Sequence, residues 1–219
     1  MGLTIHYSLR AKVPKLNQAR FLLAALRRRA LELPFEHVGE IIERSGAECD
    51  FNQCGADDPH RWLLIQAGQY VEFPGSEGRP SFKVAPRELV AFETMPGPGC
   101  EPANYGLCRF PAVVEVPDPE QPGSNRRIPT KLSGWRWSSF CKTEYSSCAE
   151  VGGYANFLKC HMAIVRLLEY AHQIRILDGV HDEGEFWENR HQQWLAVEIM
   201  KCPGLEPLAA NKLCAAPVS

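Results

Sequence analysis

The feature that most constrains this chain is a strand-helix-strand pattern that occurs twice. In the first unit, residues 3 to 10 alternate between apolar and polar side chains, which is typical of a half-buried strand. Apolar side chains then recur three and four positions apart over residues 16 to 33, which predicts a helix that Pro34 ends. Residues 35 to 43 return to a strand. Such a unit packs its helix on one face of a sheet.

The second unit is an alternating strand over residues 135 to 145, a helix over residues 154 to 175 and a short strand over residues 176 to 180. Between the two units, residues 61 to 73 and 105 to 116 predict further strands without helical periodicity. Turns and proline-rich segments separate them, including loops at residues 44 to 60 and 95 to 102 and a mobile surface connection at residues 117 to 130.

These elements predict an α+β fold, in which a mostly antiparallel sheet of about six to eight strands carries three main helices. A ferredoxin-like arrangement would join the two strand-helix-strand halves, residues 1 to 116 and 131 to 202. The alternative is an open α/β sheet. A last helix is predicted from Asp182 to Met200, and residues 203 to 219 are expected to form a loose tail after a single domain of residues 1 to 202.

Composition narrows the function classes. The 219 residues are 45% hydrophobic and 23% charged with a net charge of -2, which is typical of a globular protein. The near-neutral charge argues against nucleic acid and anionic membranes as partners. No apolar run reaches the roughly 20 residues of a membrane-spanning helix, and the first residues lack a signal-peptide pattern. We therefore expect a cytoplasmic protein.

Nine cysteines are an odd and high number. In a cytoplasmic chain they are expected to be reduced thiols, and no two of them have the two-residue gap typical of zinc sites. The best metal candidate joins Cys49 and Cys54 with His60. Small buried apolar residues are the favoured interpretation, so neither a metal nor another cofactor is predicted.

The tryptophan-containing strand is the first candidate site. Five residues on its alternating face offer flat surfaces and hydrogen-bonding groups of the kind that line a small-molecule pocket, namely Trp135, Trp137, Ser139, Thr143 and Tyr145. The alternative is a core strand whose tryptophans anchor the sheet to its helices. The alternation alone does not choose between the two.

Three further residues are candidates for catalysis. Cys141 becomes a nucleophile if a histidine lies beside its thiol, and His161 on the following helix is the candidate partner. The alternative for His161 is a hydrogen-bonded core histidine. Asp182 and Glu185 have the spacing of a capping box at the start of the last helix. Glu183 has no such structural role and is the acidic residue with the best claim to acid-base chemistry.

Three segments of the C-terminal half carry a resemblance, namely GWRWSSFCKTEY at residues 134 to 145, NFLKCH at residues 156 to 161 and DEGEFW at residues 182 to 187. They resemble a family of bacterial hypothetical proteins. The resemblance implies a bacterial origin and no particular substrate.

Two function classes follow from the sequence. The first is a noncatalytic protein that binds a small molecule or another protein. The alternative is a small hydrolase or transferase that uses Cys141 or Glu183. Convergence of Cys141, His161 and Glu183 on one pocket would favour the enzyme, whereas dispersal or burial in apolar packing would favour the binding protein.

Thiol titration tests the prediction that the cysteines are reduced. All nine cysteines of freshly purified protein, denatured without reductant, should react with a thiol reagent, since a reducing compartment keeps structural disulfides from forming. Two or more missing thiols would contradict the cytoplasmic assignment.

Overall fold

The computed structural model describes residues 3 to 73, 81 to 118, 121 and 123 to 200. The α-helices are α1 (Leu16–Leu31), α2 (Arg61–Ala67), α3 (Gly153–Gln173), α4 (Phe186–Asn189) and α5 (Gln192–Met200). The strands are β1 (Thr4–Ala11), β2 (His37–Val38), β3 (Ile42–Ser45), β4 (Gln69–Glu72), β5 (Ser81–Val84), β6 (Glu88–Phe92), β7 (Thr94–Met95), β8 (Tyr105–Arg109), β9 (Val113–Pro117), β10 (Asn125–Pro129), β11 (Trp135–Lys142) and β12 (Leu177–Asp182). None of the described helices is long and apolar enough to span a membrane.

Six strands form the main sheet in the order β12-β1-β11-β8-β6-β3, and every neighbouring pair is antiparallel. The strands β11 and β12 flank β1 and are joined through α3, which is a split β-α-β unit of the kind found in ferredoxin-like folds. After α1, by contrast, the chain pairs β2 with β7 and then runs to β3 at the opposite edge of the sheet. The predicted α+β class with a mostly antiparallel sheet is confirmed.

The longest predicted elements match the structure closely. The apolar stripes of α1 and α3 face the core, and the two helices contact each other. Helix α1 also packs against β6 and β8, while α3 packs against β12. The alternation of β1 and β11 is confirmed, because each strand buries alternate residues. The sheet therefore has a core face under α1 and α3.

The prediction for residues 61 to 73 was wrong. The structure has α2 there, followed by the short strand β4, which pairs with β5. Leu63 and Ala67 satisfy both an alternating and a helical pattern, and a short apolar run does not distinguish the two. Likewise, the strand predicted over residues 35 to 43 is split into β2 and β3, and the loop of residues 44 to 60 contains two 3-10 helices, Gly46–Cys49 and Phe51–Gln53.

Two further predictions need correction. The segment of residues 117 to 130 includes β10, which forms an antiparallel ribbon with β9, so it is more ordered than a mobile connection. The helix predicted from Asp182 to Met200 is instead the end of β12 followed by α4 and α5, because Arg190 has a positive φ of 61° that interrupts the helix. The predicted tail of residues 203 to 219 lies outside the described residues.

The strands β8 and β11 are paired only at Trp135↔Arg109 and Arg136↔Cys108. Farther along, the main-chain oxygen of Asn104 accepts hydrogen bonds from the Tyr7 hydroxyl at 2.7 Å and from the Trp137 indole at 2.9 Å. The indole lies so close to Gly106 that a Cβ atom there would be 2.5 Å from the ring. Trp137 therefore closes the gap between the two strands from inside the core.

Substitution of this tryptophan tests the packing. Trp137→Ala should lower the free energy of unfolding by about 3 to 5 kcal/mol, since it deletes a buried large aromatic side chain. Its neighbour on the opposite face provides the control, because Phe140 is 45% exposed and Phe140→Ala should cost much less. The measurement is urea unfolding at neutral pH. Similar losses for the two variants would contradict the assignment of the faces.

Candidate functional site

The face of β12, β1 and β11 that carries the polar residues of each strand presents its side chains in register. His6 lies directly opposite Phe140 on one side and His181 on the other. The ring centroids are 5.8 Å apart for His6 and Phe140 and 6.1 Å apart for the two histidines. All three residues are exposed. They form a row of planar side chains across three adjacent strands, which we call the ring row.

A second row lies beside the ring row. Ser8 is paired with Ser138 in β11 and with Gly179 in β12. The two rows line an open cavity of about 480 Å³, whose other lining residues are Tyr7, Ser139 and Val180. A Cβ atom at Gly179 would lie 3.4 Å from the Ser8 hydroxyl oxygen, so the absence of a side chain there leaves room beside Ser8. Hydroxyl groups and planar rings thus meet in one depression of the sheet face, which we call the sheet-face cavity.

A different cluster of polar groups lies buried between α3 and the end of β12. The Nε2 atom of His161 is 3.0 Å from the Asp182 carboxylate, and both side chains are 0% exposed. On the other side of the ring, Nδ1 is 3.4 Å from the Thr143 hydroxyl, which also lies 3.2 Å from the carbonyl oxygen of Leu3. With Asp182 ionised, Nε2 carries the proton that it donates.

The Asp182 carboxylate has two additional donors, the backbone N–H groups of Gly184 at 2.9 Å and Trp187 at 3.0 Å. Burial by itself raises the pKa of Asp182, but the His161 interaction and the two N–H groups outweigh it and hold that pKa below its ordinary value. The order hydroxyl, imidazole, carboxylate is that of a nucleophilic triad. However, Thr143 is completely buried, so the present arrangement offers its hydroxyl to no substrate.

Cys141 is not part of this cluster. Its thiol donates to the carbonyl oxygen of Glu101 at 3.0 Å, and burial raises the pKa of the thiol well above its ordinary value. The hydrogen-bond partners of His161 are instead Thr143 and Asp182. The core-histidine alternative therefore describes the position of His161 in the structure, and a protonated, buried Cys141 is a poor nucleophile.

Four of the five predicted ligand-binding residues are buried. Trp135 and Trp137 are each 1% exposed and belong to the core. This is the second of the two interpretations that the alternating pattern allowed. Ser139 also lines the sheet-face cavity. Tyr145 does not share the strand face, because β11 ends at Lys142 and Tyr145 lies in the 3-10 helix Glu144–Ser147 with its side chain exposed.

The expectation that Glu183 lacks a structural role was wrong. Its carboxylate accepts the backbone N–H of Thr4 at 2.9 Å and lies 3.8 Å from Nε2 of His6. The predicted capping box also does not form. Asp182 accepts the N–H of Trp187 in the first turn of α4, but the N-cap residue is Glu185, whose carboxylate binds the Asn189 amide instead.

The proposed thiol-imidazole metal set is dispersed. Cys49 is buried, and the Cys54 thiol donates to the Phe51 carbonyl oxygen. His60 lies at the start of α2 beside Glu93. Within the described part of the chain, no group of three or more histidine, cysteine, aspartate or glutamate residues is arranged to hold a metal ion.

Sequence reasoning missed the ring row and the partner of His161. The alternation of β1 did place His6 and Ser8 on the polar face, but nothing in the sequence showed that β11 and β12 are its neighbours. The spacing of Asp182 and Glu185 points to a cap, whereas the partner of Asp182 is His161, 21 residues away. One feature of the sequence did indicate a partner for His161. A histidine on the apolar stripe of α3 is buried, and a buried histidine requires a polar partner.

The chain matches no protein-family model, and searches of curated proteins and of solved structures also find no match. The function is therefore inferred from the residues of the site itself.

The buried His161–Asp182 pair leads to a quantitative prediction about stability. Asp182→Ala should lower the free energy of unfolding at pH 7 by about 3 kcal/mol or more, since it leaves His161 and two N–H groups without their partner. A helix cap alone would cost about 1 kcal/mol. Asp182→Asn should cost less, because the amide oxygen still accepts from the backbone. Glu185→Ala, which removes an exposed carboxylate, is the control and should change stability by at most about 0.5 kcal/mol.

Acid unfolding gives an independent check. Because the pKa of Asp182 is lowered on folding, its stabilisation is fully present above the unfolded pKa of about 3.9 and is lost as pH falls from there towards the folded pKa. The difference in unfolding free energy between wild type and Asp182→Asn should therefore shrink below about pH 4. A difference that stays constant across this range would show that the ionised carboxylate is not the stabilising group.

Proposed function

We propose that this protein is a noncatalytic binding protein whose sheet-face cavity takes a small molecule with a planar ring. The observation that carries the proposal is the ring row, in which His6, Phe140 and His181 are exposed side by side at the mouth of a cavity of about 480 Å³. Cavities of about 300 to 1,000 Å³ are typical of small-molecule sites.

The burial of the catalytic candidates favours binding over catalysis. Cys141 and His161 are both 0% exposed, whereas Glu183 is at the surface beside His6. The three residues therefore do not line one concave pocket, which is the arrangement that an enzyme using them requires. The hydrolase or transferase alternative loses its main support.

The chemistry of the lining indicates the class of ligand. A planar ring can stack on His6 or Phe140, because aromatic faces and edges carry opposite partial charges. The hydroxyls of Ser8 and Ser138 can each donate and accept a hydrogen bond. A ligand that combines a planar ring with hydroxyl or carbonyl groups would use both rows at once. A nucleoside has both features and serves as a chemical probe.

We also infer a bacterial, cytoplasmic protein. The three motif segments in residues 134 to 187 support the bacterial assignment through their resemblance. The seven cysteines in the described part of the chain are free thiols, which is usual in a reducing compartment.

Adenosine and ribose form a matched pair of probes, since only adenosine has a planar ring. Adenosine, titrated into the protein and followed by the NMR signals of the histidine rings, should shift the signals of His6 and His181, whereas ribose should not. Phe140→Ala should weaken adenosine binding about fivefold or more, because stacking of a base on an aromatic side chain is worth about 1 to 3 kcal/mol.

Phe21→Ala is the control variant, because Phe21 is a highly exposed phenylalanine on α1 and is not among the residues that line the cavity. Its affinity for adenosine should equal that of the wild type. Equal shifts with ribose, or unchanged affinity in Phe140→Ala, would contradict the proposal. A concentration-dependent self-association that Phe140→Ala abolishes would assign the surface to a protein partner instead.

A further inference from the structure

A pair of arginines continues the exposed rows of the sheet face beyond Ser8 and Ser138. Arg10 lies two residues along β1 from Ser8, on the same face, and it is directly opposite Arg136 in β11. Both arginines are half-buried. Like charges directly opposite each other on neighbouring strands repel and destabilise a sheet. The fold therefore holds two positive charges together next to the sheet-face cavity, although their repulsion opposes this arrangement.

The two guanidinium groups converge on one residue of the loop between β10 and β11. A terminal nitrogen of Arg10 donates to the Ser133 hydroxyl at 3.4 Å, and Nε of Arg136 donates to the Ser133 carbonyl oxygen at 3.1 Å. Arg10, Ser133 and the exposed Lys12 line a second open cavity, of about 350 Å³. Three cationic side chains thus lie around Ser133, and we call Arg10, Lys12 and Arg136 the cationic cluster.

No carboxylate of the described residues neutralises the cationic cluster. The ion pairs in this part of the chain include other arginines and lysines, but none of them includes Arg10, Lys12 or Arg136. At the far end of β11, by contrast, Lys142 is paired with Glu144 at 2.9 Å. The positive charge of the cluster is therefore available to an anion from outside the chain.

The two guanidinium groups also use little of their hydrogen-bonding capacity. A guanidinium has five N–H donors. Among the described residues, those of Arg10 and Arg136 make one hydrogen bond each, both to Ser133, and Nε of Arg10 is buried without a partner. Packing therefore does not account for two arginines at these positions. A planar fork of N–H groups matches the oxygens of a phosphate.

Charge is distributed unevenly along the strands that line the sheet-face cavity. Glu183 lies where β1 begins, because its carboxylate accepts the N–H of Thr4 and is 3.8 Å from Nε2 of His6. The cationic cluster lies at the opposite end of β1, so the cavity is between the two. The field along the cavity therefore favours a ligand whose anionic group points towards the cluster.

The spacing of the rows sets the length of such a ligand. His6 and Arg10 are four residues apart in an extended strand, a separation of about 13 Å. A base stacked on the ring row reaches the cluster only through a connecting group of comparable length. A ribose followed by two phosphates extends from a base in this way, and its sugar hydroxyls would face Ser8 and Ser138.

We propose that the cationic cluster binds the phosphates of a nucleoside diphosphate whose base lies in the sheet-face cavity. This inference rests on the proposed function and adds to it the class of ligand. A phosphate monoester carries about 1.5 to 2 negative charges at pH 7, which the three cations of the cluster balance. The ligand is bound without chemical change.

Adenosine diphosphate (ADP) and adenosine form the test pair, because only ADP has phosphates. In calorimetric titrations without magnesium, ADP should bind about tenfold more tightly than adenosine or better, since charge-assisted hydrogen bonds are stronger than neutral ones. Raising sodium chloride from about 0.05 M to about 0.5 M should weaken ADP binding several-fold and leave adenosine binding unchanged, because salt screens exposed charges. Equal affinities for the two ligands, or ADP binding that does not depend on salt, would overturn the proposal.

Two substitutions test the assignment to the cluster. Arg10→Gln and Arg136→Gln should each weaken ADP binding about fivefold or more, through the loss of charge-assisted hydrogen bonds, and leave adenosine binding unchanged. Removing one of two opposed charges should leave the free energy of unfolding equal to that of the wild type or higher, whereas a structural role predicts a loss. Arg28→Gln is the matched control, since Arg28 is an exposed arginine of α1, on the other face of the sheet. An equal loss of ADP affinity in Arg28→Gln would refute the assignment.

Inorganic pyrophosphate separates the failure of this proposal from the failure of the proposed function. In wild-type protein it should shift the NMR signals of the Arg10 and Arg136 side chains, whether or not a base binds to the ring row. Such shifts, together with no effect of adenosine on His6 and His181, would overturn the sheet-face proposal and leave the anion site standing. Adenosine binding without any pyrophosphate shift would overturn the anion site alone.

Discussion

The structure depends on the insertion of β1 between β11 and β12. Neither neighbour is close to β1 in sequence, yet the pairing is continuous over Thr4↔Lys142 to Ala11↔Trp135 on one side. Successive residues of a strand point to opposite faces, so a slip of one residue would exchange the two sets of side chains. Such a slip would bury His6 and expose Tyr7, which costs both polar solvation and core packing. The register thus fixes the core and the exposed rows together.

The regularity of an element decided how well the sequence predicted it. The helices α1 and α3 are long enough for their apolar stripes to be unambiguous, and the strands β1 and β11 alternate over eight residues each. Helix α2 has only seven residues, so its apolar positions also fit a strand. The ribbon of β9 and β10 is mostly exposed and contains prolines at its ends. Because neither strand has a fully buried face, its sequence shows little alternation between apolar and polar residues.

The site was harder to predict than the fold, because its contacts cross the chain. His161 meets Asp182 only because α3 and β12 pack together, and the Thr143 hydroxyl meets the Leu3 carbonyl oxygen across 140 residues of sequence. The spacing of residues in the sequence predicts local geometry, such as the helix turn that suggested a capping box at Asp182. It does not predict which loops and helices come into contact in the folded chain. A buried polar residue indicates that a hydrogen-bond partner exists, but the identity of that partner depends on the tertiary structure.

The sheet separates the buried polar pair from the exposed ring row. Cys141 and Phe140 are consecutive residues of β11, yet Cys141 is buried in the core, whereas Phe140 is exposed and lines the sheet-face cavity. Low-dielectric surroundings hold the buried thiols and the His161–Asp182 pair in fixed hydrogen bonds, while the exposed rings keep their faces free for a ligand. A substitution in the core can therefore influence the cavity only through movement of the strands themselves. The continuous pairing of β1 with β11 resists such movement, so the ring row should keep its arrangement when a core side chain is changed.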